Sequence, residues 1–186
     1  ALALVWDELV LPGVLTPDSR LTLVNAIYLK APWQTAFAAE ATKPGAFTRA
    51  DGTTVEVPMM QVGEALPYAA GTGWRAVEIP YVGGSLAMTV IVPDDLAAFE
   101  QGLTADQLGS ITAGLAERPV SLTFPKFSIE TKAQLADVLA ALGMPTAFSD
   151  AADFSGITTA EQLQISDVIH QANIDVDEKG TEAAAA

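Results

Sequence analysis

The chain has 186 residues, half of them hydrophobic and 17% charged, a composition that can build a packed core and argues against disorder. Nine basic against 23 acidic residues leave a net charge of −14, which repels phosphates and removes nucleic acid and anionic membrane from the expected partners. There is no cysteine, so disulfides and thiolate metal sites are excluded.

Residues 1–19 are an uncertain lead-in. Residues 1–7 (ALALVWD) lack the basic leader of a signal peptide, residues 2–11 fit a short helix ending near Pro12-Gly13, and Thr16 to Ser19 is turn material. Leu21 to Leu29 is dense in apolar and β-forming residues and predicts a strand buried on both faces, with the polar Asn25 in its middle. A loop carrying Trp33 and Phe37 follows. Ala46–Arg49 and Thr53–Met60 flank Asp51-Gly52, a hairpin signal. Tyr68–Ala70, Arg75–Tyr81 and Leu86–Val92 continue the strand pattern, the last two joined through Gly83-Gly84. The longest uncharged stretch, Ile79 to Pro93, is too broken by glycine and proline to cross a membrane as a helix.

Pro93-Asp94-Asp95 opens helical territory. Thr104 to Gln107 matches a capping box, in which side chains satisfy free amides at a helix start, and Leu108, Ile111 and Leu115 supply an apolar stripe. Val120 to Ile129 returns to strand. Thr131 to Gln134 matches a second capping box, leading into a helix with Leu135, Val138, Leu139 and Leu142 on one face, ended by Gly143 and Pro145. Gln162 to Val176 predicts a long final strand. His170, Ala172, Ile174 and Val176 share one face of it, and Ile169, Gln171, Asn173 and Asp175 the other. The fold class is α+β, mainly antiparallel sheet with a few helices, in one domain without an internal boundary.

Catalytic chemistry is hard to assemble from this sequence. A serine hydrolase needs a nucleophile, a base and an orienter, the sole imidazole is His170, and no Gly-x-Ser-x-Gly elbow occurs. Asp150 with Asp153, or Asp175, Asp177 and Glu178, could be imagined as calcium ligands, but the first pair reads better as turn caps and the others alternate along a strand end. No catalytic residue, metal or cofactor is expected.

Several segments together resemble the serpin family, protease inhibitors that insert their own reactive loop into a β-sheet. Leu21 to Lys30 (LTLVNAIYLK), then Trp33 and Phe37, is similar to the family's Asn-Ala-Ile-Tyr-Phe-Lys-Gly-x-Trp-x-x-x-Phe strand, with Leu29 and Ala31 in place of the commoner Phe and Gly. Val55 to Met60 resembles its Val-Pro-Met-Met strand, and Phe124-Pro125-Lys126-Phe127 its Pro-Lys-Phe strand. Leu139 to Phe154 resembles Leu-x-x-Leu-Gly-Met-x-x-x-Phe-x-x-x-Ala-Asp-Phe. Ile165 to Ala186 resembles the strand and hinge that lead into the reactive loop. Motifs in family order run from about residue 20 to the end.

The resemblance implies a partial serpin domain: lead-in 1–19, strands and helices 20–176, and reactive-loop hinge 177–186. It implies an inhibitor acting as a suicide substrate, not an enzyme. Its partners would be a target serine or cysteine protease and the missing remainder of the serpin chain, and its setting extracellular. Glu178, Gly180, Thr181, Glu182, Ala183, Ala184, Ala185 and Ala186 would form the hinge. Read alone, that stretch is a frayed or helical alanine tail. Small side chains are also what a segment needs to slip between two strands already in place. Asn25 and His170 would form a buried hydrogen-bonded shutter, although a lone histidine is ordinarily just a satisfied core residue. Trp33 would mark the breach where the loop first enters. The alternatives are a non-inhibitory serpin serving as carrier, chaperone or structural module, and an unrelated α+β enzyme using His170.

Overall fold

The computed structural model of the chain describes residues 16–17, 19–23 and 25–185. The helix expected within 2–11 lies outside them, as does Ala186. The described elements are nine strands, β1 (Ile27–Pro32), β2 (Lys43–Thr48), β3 (Thr54–Gly71), β4 (Trp74–Pro80), β5 (Ala87–Pro93), β6 (Ala116–Pro125), β7 (Phe127–Gln134), β8 (Ile169–Val176) and β9 (Gly180–Ala185), and three α-helices, α1 (Leu96–Gly102), α2 (Ala105–Ala113) and α3 (Ala136–Ala141). A short 3-10 turn spans Pro145–Phe148.

One sheet has the order β2-β3-β4-β5, with β6 also paired to β3, and the other the order β1-β9-β8-β7. The chain divides into two compact units. The first comprises Ala1–Leu29, Ile129–Ile174 and Ala183–Ala186, the second Lys30–Ser128 and Asp175–Glu182.

The second unit is organised by β3. This 18-residue strand changes partner along its length: antiparallel to β2 over Thr54–Met59, to β6 over Met59–Tyr68 and to β4 over Tyr68–Gly71. The Asp51-Gly52 hairpin forms as its dipeptide predicts. Gly52 takes φ 81°, and the Asp51 carboxylate accepts from the Thr53 N–H at 2.9 Å. The Thr53 hydroxyl first, with that backbone contact assisting, holds the Asp51 carboxyl below its ordinary range. At the Gly83-Gly84 turn both glycines have positive φ, which closes β4 onto β5 in antiparallel register from Trp74↔Pro93 to Pro80↔Ala87. The strand expected over Val120–Ile129 is two strands, β6 and β7. The break falls at Lys126, whose N–H still donates to the Pro58 carbonyl at 2.9 Å, one step beyond the Met59↔Pro125 pair of the β3–β6 register.

Both helices of this unit carry side-chain caps. Asp95 accepts from the Ala98 N–H at 3.0 Å and Thr104 from the Gln107 N–H at 3.2 Å, each satisfying an amide that the helix start leaves free. Met60, Leu66, Ile79, Ile111 and Val176 are the largest fully buried side chains, and all five belong to this unit.

The first unit has far less interior: Ala152 is its one buried hydrophobic residue among those described. Its strand before Trp33 begins at Ile27 rather than Leu21, and Leu21, Leu23, Ile27 and Tyr28 are exposed. The expectation of a strand buried on both faces is therefore corrected, because the described residues do not cover it. The second capping box is corrected too. Thr131–Gln134 lie in β7, and α3 begins after Leu135 without a side-chain cap. Pairing with β8 outweighs the local capping motif, and the Leu135 N–H extends that pairing by donating to the Val168 carbonyl at 2.8 Å. The helix stop is as read: Gly143 has φ 114°, and the Met144 N–H donates to the Leu139 carbonyl at 3.0 Å, a left-handed C-terminal cap. The last long strand is shorter than expected, Ile169–Val176 rather than Gln162–Val176.

Met60, with no exposed surface, sits where β3 exchanges β2 for β6. Replacing it by alanine in the full-length protein is expected to lower the unfolding free energy by about 3 kcal/mol, the usual cost of a large core truncation. Urea denaturation followed by tryptophan fluorescence measures it.

Candidate functional site

The site is built in the second unit around Trp33, where the chain leaves β1. Trp33 is 2% exposed. Its backbone N–H donates to the Lys179 carbonyl at 2.9 Å, and its indole N–H donates to the Asp177 carbonyl at 2.8 Å. Phe37 adds a backbone N–H to the Glu178 carbonyl at 2.9 Å and an edge-on ring contact to Trp33, centroids 6.3 Å apart. Three successive carbonyls, those of Asp177, Glu178 and Lys179, are thus held by one short segment.

Those carbonyls form the link between β8 and β9. Three residues can only return a strand antiparallel to its neighbour, and the Asp177 N–H donates to the Gly180 carbonyl at 3.0 Å to close the turn. The Asp177 carboxylate accepts from the N–H groups of Lys179 and Gly180 at 2.8 and 3.2 Å, an Asx-type turn made by its own side chain. Asp177 and Glu178, weighed above as calcium ligands, are thus engaged in turn and ion-pair contacts.

Gly180 follows, and it is fully buried. A Cβ there would lie 2.7 Å from Pro32 Cα and closer still to the Ala31 carbonyl oxygen, so the backbone approach excludes every other residue. Thr181 is 3% exposed and receives a hydrogen bond from the Tyr81 hydroxyl at 2.7 Å. The Tyr81 ring stacks on Trp33 with centroids 4.6 Å apart and planes 8° from parallel.

An ion pair flanks the turn. Lys126 Nζ lies 2.9 Å from Glu178 Oε2, and the Thr42 hydroxyl donates to Glu178 Oε1 at 2.9 Å. The Lys126 contact first, with the backbone amide and Thr42 assisting, lowers the Glu178 carboxyl from 4.5 to about 2. The same contact raises the Lys126 ammonium above its ordinary value. Glu182, one residue past Thr181, meets Lys30 at 2.8 Å in a pair open to solvent on both sides.

A family profile described as Serpin (serine protease inhibitor) matches residues 7–186. The chain belongs to the serpin family. It is 40% identical over 185 residues to Iris of Ixodes ricinus, covering 96% of this chain and 49% of Iris. It is 39% identical over 190 residues to the leukocyte elastase inhibitor of Bos taurus, covering 96% and 50%. Among solved structures it is similar to reaction-loop-cleaved lamprey angiotensinogen, with TM-score 0.80 and 34% identity over 86% of this chain and 50% of that one. The serpin chain described here spans about half the length of the curated relatives it matches. The expected family and its α+β, mainly antiparallel fold are both met.

The residues singled out in this serpin from sequence fall into three groups. Trp33, Glu178, Gly180, Thr181 and Glu182 come together in the second unit. Ala183, Ala184 and Ala185 continue β9 in the first unit and line an apolar recess of about 380 Å³ with Ile27, Leu29, Ile129 and Ile174. Asn25 and His170 do not meet the expectation of a buried pair: both are exposed, no hydrogen bond joins them, and the described residues supply nothing to cover them. Four residues of the site were not singled out as such: Phe37, Thr42, Tyr81 and Lys126. Phe37 and Lys126 sit inside the family motifs quoted above, so the motif itself was their signal. Tyr81 and Thr42 stand 100 and 136 positions from their partners, and no local pattern marks them.

A depressed Glu178 contributes stability that is present above pH 4.5 and is lost as pH falls through about 2. Lys126 is 43% exposed, so screening holds the contribution near 1 kcal/mol. Glu178→Gln is expected to destabilise the full-length protein by about that much at pH 7, with the difference shrinking between pH 4.5 and 2. Thermal melts of both proteins across that range check it.

Proposed function

We propose that this chain is the loop-accepting half of an inhibitory serpin, with residues 177–186 as the hinge of its reactive loop. The observation that carries the reading is the seat of Gly180–Ala185 as a strand between β1 and β8. A segment of Gly, Thr, Glu and Ala occupies the middle of a sheet, the position least suited to a frayed tail and the one an inserted loop would take. Trp33 is the breach residue in this reading, and Asn25 and His170 are shutter residues whose burial would come from the rest of the full-length protein.

A target protease attacks a bond C-terminal to Ala186 and forms an acyl-enzyme. The loop then enters the sheet between β1 and β8, starting at Gly180 and Thr181, and carries the protease with it before deacylation. The protease supplies the bond-breaking groups, so the inhibitor needs no catalytic residue. The energy comes from a native state that has not yet gained the extra strand. The relatives described as inhibitors support a protease as partner.

Thr181→Arg in the full-length protein is expected to convert inhibitor into substrate, because a guanidinium would have to enter a site where Thr181 is 3% exposed. On denaturing gels after incubation with chymotrypsin, trypsin or pancreatic elastase, the covalent complex should give way to cleaved inhibitor. Undiminished complex would overturn the hinge assignment. Absence of any complex from the unmodified protein would favour a carrier, chaperone or structural role.

A further inference from the structure

Tyr81 is held in place by contacts that do not involve β9. Its N–H donates to the Leu86 carbonyl at 3.0 Å, and the next residue, Val82, donates to the Pro32 carbonyl at 2.9 Å. A backbone bridge ties Tyr81 to Trp33, and the two rings stack. The phenol is therefore fixed at the end of β4 whether or not a strand lies beside β1. Among the described residues its hydroxyl has one protein partner, Thr181 Oγ1, and the two residues are 4% and 3% exposed. Burial raises the Tyr81 hydroxyl above its ordinary range, and the Thr181 contact partly offsets this.

We propose that the Tyr81 hydroxyl is the receiver for the entering loop: it takes the Thr181 hydroxyl as the first loop side chain to be buried, selects a hydroxyl at that position, and fixes the register of β9. This rests on the inhibitory reading above. The selection is chemical. Valine in place of Thr181 has nearly the same shape but leaves the buried phenol without a partner, which costs more than never having had the bond. Serine keeps the hydroxyl. The register follows from two adjacent locks. Gly180 alone fits against the Ala31 carbonyl, and Thr181 alone among its neighbours brings a hydroxyl. A slip of one residue would set Gly180 or Glu182 against Tyr81 and a side chain against Ala31, and would turn every side chain of β9 to the opposite face. Tyr81 is thus a positioning residue for insertion, acting after the protease has bound.

The test uses the full-length protein with chymotrypsin, trypsin and pancreatic elastase, reading the stoichiometry of inhibition with whichever forms a covalent complex. Tyr81→Phe keeps the stacked ring and Thr181→Val keeps the shape. Each should raise the stoichiometry roughly fivefold, the effect of one net hydrogen bond on the partition between trapping and release. The double variant should be no worse than the worse single, Thr181→Ser should behave as the unmodified protein, and the melting temperature of the intact form should not move. Additive singles, singles without effect, or a Ser variant as impaired as the Val variant would overturn the proposal. If the unmodified protein is cleaved without trapping any protease, the inhibitory reading fails, and the pair is judged instead by the rise in melting temperature on cleavage. A smaller rise in Tyr81→Phe upholds the receiver role, and an equal rise removes it.

Discussion

The structure turns on the way Trp33 grips the link between β8 and β9. One side chain and two backbone amides, from Trp33 and Phe37, satisfy three consecutive carbonyls, of Asp177, Glu178 and Lys179. Those groups would otherwise be polar atoms at the edge of a packed site, where an unmade hydrogen bond is costly. Holding them fixes where the chain turns, and the turn fixes what β9 presents to β1. The Tyr81 ring lies against the same indole, stacked with centroids 4.6 Å apart and planes 8° from parallel.

Electrostatics reinforce the same turn from outside. Glu178 has its carbonyl held by Phe37 and its carboxylate held by Lys126 and Thr42. A backbone amide and Thr42 act on the Glu178 carboxylate in addition to Lys126, so its acidity is set by more than the ion pair. The Lys30–Glu182 pair resembles it in distance but differs in setting: both side chains stand in water, and such pairs contribute little.

Legibility in the sequence followed self-sufficiency. Asp51-Gly52, Gly83-Gly84, the Asp95 and Thr104 caps and the Gly143 stop were readable because each is closed by residues a few positions apart. The family motifs pointed to Trp33 and to the Gly180–Ala185 stretch. Leu21–Leu29 and the Asn25–His170 pair share one feature: their apolar or hydrogen-bonding pattern describes a burial that the described residues do not provide. Thr131–Gln134 failed differently, since a local capping motif met a strand partner and sheet pairing won. Tyr81 was invisible because its hydrogen-bond partner is 100 positions away, and a lone tyrosine after a strand carries no local signature of that contact.

The order of residues along β9 carries a directional logic. Gly180 comes first because the backbone must pass Ala31 and Pro32 with no room for a Cβ. Thr181 comes second because the next site is closed to water but ends in a fixed hydroxyl. Glu182 faces outward to Lys30, so a charge costs nothing there. Only then do the alanines begin, beside an apolar recess that asks for small size and no polarity. The first two positions are the strictest, glycine alone and then a buried hydroxyl, and the later ones admit an exposed polar group and small apolar residues. The strictest positions of β9 are thus its first two residues, an order of constraints that would suit the proposed entry of this segment into the sheet from one end.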